Sequence, residues 1–599
     1  MQPGGAADIQ GAAASATAEA LLNDYTQLPH RQKMFTLAGT LLGMLLAALD
    51  QTIVSTAGPA IQRDLHIEAS LYTWLTTSYL VASAVMTPVW GKLSDLFGRR
   101  RILVIGIVIF LGGSLLCGVS QTTWQLIAAR IIQGFGSASL FTTAFAVIAD
   151  IFSPRERGRY AGVFGAVFGL SSVVGPLVGG FITDTLSWHW CFLINLPVGA
   201  VALTVIGLKM PSLKRQEEGG SKKIDVVGAV IFAAAVVPAL VAASLAKVEL
   251  RPGDVGYLWS SPIIIGLVVM AVVFGVLFVV VERRVNEPLI DMKLFANRAF
   301  SIGVSASFIV GMAFLGAIVF LPLFMVNVVG ASATGAGLTT VPLTFGIVFG
   351  NIFSGQVSSR LGRYKFLMLT SLSILVVAFG VMSFTLSPDV TQLGMAARMV
   401  LIGLGLGPSI PMFNLHIQTS VEPRQIGAAT SVATLSRSLG STLGVAIFGN
   451  IFGLALAHGI ETRIGEATAH LPPAAVAQLK SQMAPPAAAT AGEEGAPTTG
   501  TFDVVAAKLR ITEGFAARRQ ALSGAGPEAA GQLAGLAAAE AEATKTVDAV
   551  SRAFKQAFTD ATARVYFVGI FFAVLGLLVT LILPELPLRG GMSAPPPVE

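Results

Sequence analysis

Fourteen runs of roughly 20 mostly apolar residues, each bounded by short polar segments, dominate the chain. A helix that crosses the hydrocarbon core of a bilayer needs about 20 such residues, so each run predicts a spanning helix. The first six fall near 34–59, 71–91, 102–120, 124–149, 159–183 and 189–209. Two follow near 226–246 and 261–281, and six more near 300–326, 335–357, 365–385, 392–417, 428–457 and 563–584. Residues 1–30 are small and polar, lack the order of a signal peptide, and read as a disordered tail. Residues 458–562 form one long connection rich in Ala, Gly and Pro. Its part 472–500 has the composition of a flexible linker. The stretches 503–522 and 528–560 have helical composition, and the connection is either a helical hairpin or a mobile loop.

Three features of the first half recur in the second. Gly91-Lys-Leu-Ser-Asp95-Leu-Phe-Gly98-Arg99 follows the second run, and Gly355-Gln-Val-Ser-Ser-Arg-Leu-Gly362-Arg363 follows the tenth. Arg130 with Gly134 and Gly136 is echoed by Arg398 with Gly403 and Gly405, and Ser153-Pro-Arg-Glu-Arg-Gly158 by Glu422-Pro-Arg-Gln-Ile-Gly427. Two copies of a six-helix unit are implied, with a midplane site between them. The expected organisation is a six-helix bundle at 31–210, a linker with two inserted helices at 211–299, and five helices of a second bundle at 300–457. The long connection at 458–562, a last helix at 563–584 and a tail at 585–599 complete it.

Composition turns this pattern into a class. Hydrophobic residues make up 54% of the chain and charged residues 12%, about half the charged share of a soluble domain, and the mean hydropathy is +0.74. The fold class is an all-α integral membrane protein. The net charge of +6 does not signal nucleic-acid binding, because the basic residues form no single patch. They alternate between loops. One set holds Arg31 and Lys33; Lys92 and Arg99–Arg101; Arg155, Arg157 and Arg159; Lys214, Arg215, Lys222 and Lys223; Arg283, Arg284 and Arg298; Arg360, Arg363 and Lys365; and Arg424. The opposite short loops hold little beyond Arg63, Lys247 and Arg251. The positive-inside rule places the first set, and with it both termini, in the cytoplasm of a cell whose plasma or inner membrane holds the protein.

Enzyme chemistry finds no support. No phosphate-binding Gly-rich loop precedes a Lys-Ser/Thr pair, so direct ATP drive is not expected, and neither is a cofactor. The six His residues lack metal-ligand spacing; His189 and His416, near span ends, have structural or titrating roles. Cys117 and Cys191 suit small apolar packing positions.

The motifs resemble the major facilitator superfamily, and within it the fourteen-span drug:proton antiporters of the EmrB/QacA subfamily. Leu49-Asp50-Gln51-Thr52-Ile53-Val54 with Pro59 is similar to the first-helix motif, Gly91–Arg101 to the cytoplasmic loop motif, and Arg130-Ile-Ile-Gln-Gly134 to the fourth-helix motif. Gly175-Pro176 with Gly179 and Gly180 is similar to the antiporter motif, and Trp188-His-Trp190-Cys-Phe192-Leu-Ile-Asn195-Leu-Pro197 to the start of the sixth helix. Two departures stand out. Ser55 and Gly58-Pro59 replace the usual Asn and Leu-Pro pair, and Ser359 stands in the second loop copy where the first has Asp95. The resemblance implies a fold of two six-helix bundles plus two inserted helices, and a proton-coupled multidrug exporter working by alternating access on lipophilic compounds, cations among them. It leaves two other functions open: a lipid or glycolipid exporter, which would use the 458–562 connection to meet an envelope partner, and a transport-inactive receptor or scaffold.

Within this frame the residues carry their own chemistry. An acid inside a span is costly and functional by default. Asp50 is therefore a candidate for proton coupling or for contact with a cation, against an acid permanently held by Arg or backbone groups. Arg130 cannot discharge and needs a partner; the resemblance puts it in a proton-transfer network with Asp50, against a structural pair. Gly91, Lys92, Asp95, Gly98, Arg99 and Arg100 read as a cytoplasmic gate, echoed by Gly355, Gly362 and Arg363, with Arg99 to Arg101 facing the cytoplasm and its anionic lipid, while Arg398 repeats Arg130 in the second half. Arg437, in the thirteenth run, has no obvious acid. Gly169, Gly175, Pro176, Gly179 and Gly180 allow close helix contact or bend the axis. Gln51, Thr52, Ser55, Trp74, Tyr79, Gln133, Phe324, Asn327, Asn351, Phe413 and Asn414 are candidate cavity residues, since aromatic faces suit lipophilic cations.

Overall fold

The computed structural model describes residues 25–588 apart from 68–70, 72–73, 214–223, 248–256, 331–340, 423–424 and all but a few positions between 468 and 528. Among the described residues, thirteen helices are long and apolar enough to cross a membrane. The fourteenth expected span is the 24-residue helix Trp74–Phe97, whose Ser and Thr positions keep it below that measure. The chain is a multi-pass membrane protein.

The first six helices are α1 (His30–Asp64), α2 (Trp74–Phe97), α3 (Arg99–Gly118), α4 (Thr123–Ile151), α5 (Pro154–Thr185) and α6 (Trp190–Lys209). Polar caps fix several starts. Ser153 and Glu156 form a reciprocal capping box, with Pro154 in the first turn of α5. The Thr122 hydroxyl accepts from Gln125 N at the start of α4. α3 and α4 approach closely through small residues: a Cβ on Gly136 would lie 2.4 Å from Phe110 N, and one on Gly113 2.5 Å from Gln133 N. Between helices in lipid, where burial gains little over the tails, such backbone contact supplies the packing energy. Leu103, Ile107, Phe110, Leu140 and Phe145 fill the centre of this half.

Two inserted helices follow, α7 (Val226–Leu245) and α8 (Pro262–Glu282). Ala246–Lys247 and Tyr257–Leu258 between them pair as a short parallel β1 and β2. α8 is apolar all round and largely exposed, which suits a helix bathed in lipid. α7 carries Phe232, Val236 and Leu240 onto a cluster shared with Val81 of α2.

The second half comprises α9 (Arg298–Phe324), α10 (Val341–Leu361), α11 (Lys365–Thr385), α12 (Gln392–Leu406 and Ser409–Thr419, broken at Gly407 and Pro408), α13 (Ile426–Ala467) and α14 (Ala529–Ile582). Its centre holds Phe324, Met368, Leu372, Phe379, Met399 and Tyr566. The last two helices outrun the expected spans. α13 continues ten residues past 457, and α14 starts 34 residues before 563. They stay paired there: a Cβ on Gly459 would lie 3.0 Å from Ala557, and Arg463 binds Asp560. The second arm of the proposed hairpin is thus helical, and Arg519 reaches it at Glu540. Of the first arm, Thr512, Phe515, Ala516, Arg519 and Gln520 are described and helical, and its other residues lie outside the described residues, as does the tail 1–24.

Candidate functional site

The intramembrane acid and base come together. Asp50 on α1 is fully buried and Arg130 on α4 is 1% exposed. Arg130 Nη1 donates to Asp50 Oδ2 at 2.7 Å, and to Gln133 Oε1 at the same distance. Asp50 Oδ1 accepts from Gln133 Nε2 at 2.7 Å and from Asn195 Nδ2 at 2.8 Å. Arg130 Nε donates to the Leu75 carbonyl at 3.1 Å, and the guanidinium lies 4.2 Å above the Tyr79 ring. Ser114 Oγ accepts from Gln133 and Asn195 and donates to the Phe192 carbonyl. The cluster draws on α1, α2, α3, α4 and α6, so it locks the first half together. Both carboxylate oxygens are occupied, which leaves no free acidic face for a cation in this arrangement.

One end of the bundle, the basic face, carries Arg99–Arg101, Arg155 and Arg363, and the two halves meet there. Asp95 at the foot of α2 accepts from Ala428 N at 3.1 Å, in the first turn of α13. Arg99 Nη2 holds Asp95 at 2.6 Å, and its Nε holds Asp150 at 2.8 Å. Burial pushes the Asp95 carboxyl above its ordinary range, with Arg99 pulling the other way. A Cβ on Gly91 would lie 2.7 Å from Ser431, so glycine permits the α2–α13 approach. Gly98 stands at φ 90° and Gly362 at φ 67°, left-handed conformations that suit glycine. Lys92 pairs with Glu287 at 3.1 Å, tying the gate to the segment after α8. Arg100 donates to the Gly207 carbonyl.

The second copy of the gate packs on α5. A Cβ on Gly355 would sit 2.3 Å from the Gly158 carbonyl, and Arg155 donates to the Ser359 and Arg360 carbonyls at 2.7 and 2.9 Å. Arg398 behaves unlike Arg130. It donates to the Thr385 carbonyl and hydroxyl, both at 3.0 Å, at the end of α11. Of the glycines on α5, Gly169 faces Val348 and Thr344 of α10, whereas Gly175 and Gly179 face Thr52 and Ile53 of α1 and Gly180 comes within 4.0 Å of Thr56. Thr52 donates to the Ser171 carbonyl at 2.9 Å. Pro176 lies inside α5.

The candidate cavity residues scatter. Tyr79 and Gln133 belong to the Asp50 cluster, and the Tyr79 hydroxyl donates to Ser137 at 2.5 Å. Phe324 and Phe413 are buried in the second-half core. Gln51 and Trp74 are half-buried, and Asn327 donates to the Leu323 carbonyl. Among the described residues, Asn351 Oδ1 and Asn414 Nδ2 are buried without a hydrogen-bond partner. The side chain of Ser55 lies outside the described residues. Cys117 and Cys191 are separate, buried thiols. His416 is held at both ring nitrogens, by Tyr364 at 2.8 Å and the Ala299 carbonyl at 3.0 Å.

Sequence reasoning overlooked Asn195 and Ser114 as partners of the Asp50 cluster and Asp150 as the partner of Arg99. Asn195 stood inside a motif, and Asp150 is an acid one turn before the Ser153 cap on a basic face. Ser114 carried no signal.

A family model described as the Major Facilitator Superfamily matches residues 40–445. The chain is 39% identical over 428 residues to Multidrug resistance protein 3 of Bacillus subtilis (strain 168), covering 72% of this chain and 81% of that protein. It is 36% identical over 420 residues to Multidrug transporter protein MdtP of the same organism, covering 70% and 75%. Among solved structures, the human organic anion transporter MFSD10 (TETRAN) matches with a TM-score of 0.54 at 16% identity, covering 72% of this chain and 96% of that one. That likeness speaks for the fold alone.

Proposed function

The chain belongs to the major facilitator superfamily, and from that premise we propose that it is a proton-driven exporter of lipophilic small molecules, working by alternating access in the cell membrane with its basic face in the cytoplasm. Relatives named for multidrug transport support export as the direction. The observation that carries the coupling is the Asp50–Arg130 pair. A proton that reaches Asp50 Oδ2 has to compete with a guanidinium at 2.7 Å, so protonation and release of Arg130 from Asp50 become one event, while Gln133 keeps Asp50 Oδ1. Arg130 then keeps the Leu75 carbonyl, Gln133 and the Tyr79 ring, which hold its charge while the acid is neutral. The halves close on each other at the basic face through Asp95–Ala428 and Gly158–Gly355. Opening toward the cytoplasm requires both contacts to part.

The test is Asp50→Asn in proteoliposomes loaded with a fluorescent dye. The variant is expected to lose gradient-driven accumulation roughly tenfold or more while keeping downhill exchange, since general proton chemistry at a positioned acid is worth at least that much. Accumulation at the wild-type rate would clear Asp50 of coupling. A lipid-export reading keeps one observation in its favour, the paired extension of α13 and α14. Deleting 468–528 separates the two, because dye export survives it and lipid delivery does not.

A further inference from the structure

We infer that Asp225 and Glu282 form a proton-binding site at the basic face, in which one proton held between the two carboxyl groups clamps the inserted helices α7 and α8 together. This proton is distinct from the one assigned to Asp50, and the site stands whether or not export is proton-driven.

Asp225 immediately precedes α7, and Glu282 is the last residue of α8. Each has one oxygen engaged. Asp225 Oδ1 accepts from Gly228 N at 2.7 Å, the bond of a helix N-cap, and Glu282 Oε2 accepts from Ile290 N at 3.3 Å. Among the described residues, the other two oxygens, Asp225 Oδ2 and Glu282 Oε1, are buried without a hydrogen-bond partner. They converge on one spot: a Cβ on Gly228 would lie 2.4 Å from Glu282 Oε1 and 2.5 Å from Asp225 Oδ2. Only a residue without a side chain lets the two carboxyl groups meet there. Glu282 is 2% exposed. Phe232 and Phe278, one turn further along each helix, touch with ring centroids 5.3 Å apart and seal the pair from the membrane side. Leu289 and Ile290 belong to the same apolar cluster as both rings.

Two ionised carboxylates in such an enclosure, with no donor between them, repel each other and go unsolvated. Among the described residues neither has an ion pair. Lys92 of α2 is the basic group that acts on Glu282 from a facing helix, and Glu287 holds it at 3.1 Å. Asp95 of α2 is bound to Arg99, Arg283, Arg284 and Lys293 are exposed, and Asp291 accepts from Lys293 N and Gln425. α13, which also packs on α7, carries no charged residue before Arg437. One proton satisfies both orphaned oxygens at once. Glu282 Oε1–H donates to Asp225 Oδ2, and Oε2 keeps Ile290 N as a carbonyl acceptor. The helix ends decide which group carries it. The positive start of α7 suits a carboxylate at Asp225, and the negative end of α8 opposes one at Glu282. Loss of the proton to water leaves two like charges facing each other, and the feet of α7 and α8 part. Glu282 also holds the turn that contains Glu287, the partner of Lys92 in the gate, so the clamp bears on the foot of α2.

Infrared spectra of the purified full chain at neutral pH read the proton directly, because ordinary carboxyl groups are ionised there. Wild type is expected to show a carboxylic-acid carbonyl band that Glu282→Gln lacks. The same band in wild type and in folded Glu282→Gln overturns the inference, because Glu282 is then ionised and water or a cation fills the spot. If that variant fails to fold, wild type labelled with heavy carbon at the glutamate side-chain carboxyl decides: part of the band must shift, and a carboxylic-acid band with no shifted component overturns the inference. Spin labels at the exposed Val226 and Val285 are expected to move apart in wild type as the pH rises from neutral. They should stay put in Glu282→Gln, whose amide donates to Asp225 in place of the hydroxyl. Equal movement in both proteins, or none in wild type, overturns the clamp.

Discussion

At the α2–α13 junction an acid meets the start of a helix, with Asp95 on Ala428 N. At the α5–α10 junction a base meets the end of one, with Arg155 on the carbonyls of Ser359 and Arg360. Each charge suits the partial charge of the helix end it faces. Glycine does the same task at both, since Gly91 and Gly355 let the facing helix come close. Repeat and difference thus have separate causes. Backbone approach is what the duplicated motif preserves, and polarity follows from which helix end each copy meets. The interiors of the halves diverge further. Arg130 is sealed inside with its acid, whereas Arg398, at the echoed position, donates to the Thr385 end of α11.

The largest expected effect breaks that interior contrast. Asp50→Ala leaves Arg130 buried without its carboxylate, a loss of about 3–5 kcal/mol. Arg398→Ala removes a rim contact and costs about 1 kcal/mol or less. Thermal unfolding of the purified variants reads both, and equal losses would erase the distinction between the halves. A smaller effect separates the junctions. A methyl at Gly355 would sit 2.3 Å from backbone, the Gly158 carbonyl, whereas one at Gly91 meets Ser431 Cβ and Oγ at the longer distance of 2.7 Å. Gly355→Ala should cost about 1–3 kcal/mol and slow dye transport more than Gly91→Ala. Gly380→Ala, facing open space, serves as the control and should change neither.

Much of this contrast was legible in the residues themselves. Apolar runs and basic loops predict a many-span bundle because lipid demands both, and the Gly98 and Gly362 spacing anticipates two matched turns. Asp50 and Arg130 announced themselves as charges that hydrocarbon does not tolerate alone. What stayed hidden has physical reasons. Asn195 and Ser114 are polar side chains of a kind found in many packed spans, and only their convergence on Asp50 sets them apart. Phe324 and Phe413 read as cavity aromatics, yet which side of a uniformly apolar helix faces the core is decided by its neighbours. The reach of α13 and α14 past the membrane was hidden by Ala-rich sequence, which suits a helix and a linker equally.

The finest test asks whether the junctions can be exchanged. Asp95→Asn removes the charge that faces the α13 start and that Arg99 holds at 2.6 Å. It should cost the closed junction about 1 kcal/mol, enough to widen the distance between spin labels at the basic ends of α2 and α13 in part of the population. Ser359→Asp installs the missing acid in the second copy, but there it meets the end of α10, where the partial charge is negative. Arg155 beside it offsets that repulsion. The two contributions are of similar size, and the label distance between α5 and α10 should stay unchanged. If Ser359→Asp instead tightened its junction as Asp95 tightens the first, the motif and not the helix end would set the polarity, and the explanation offered for the asymmetry would fail.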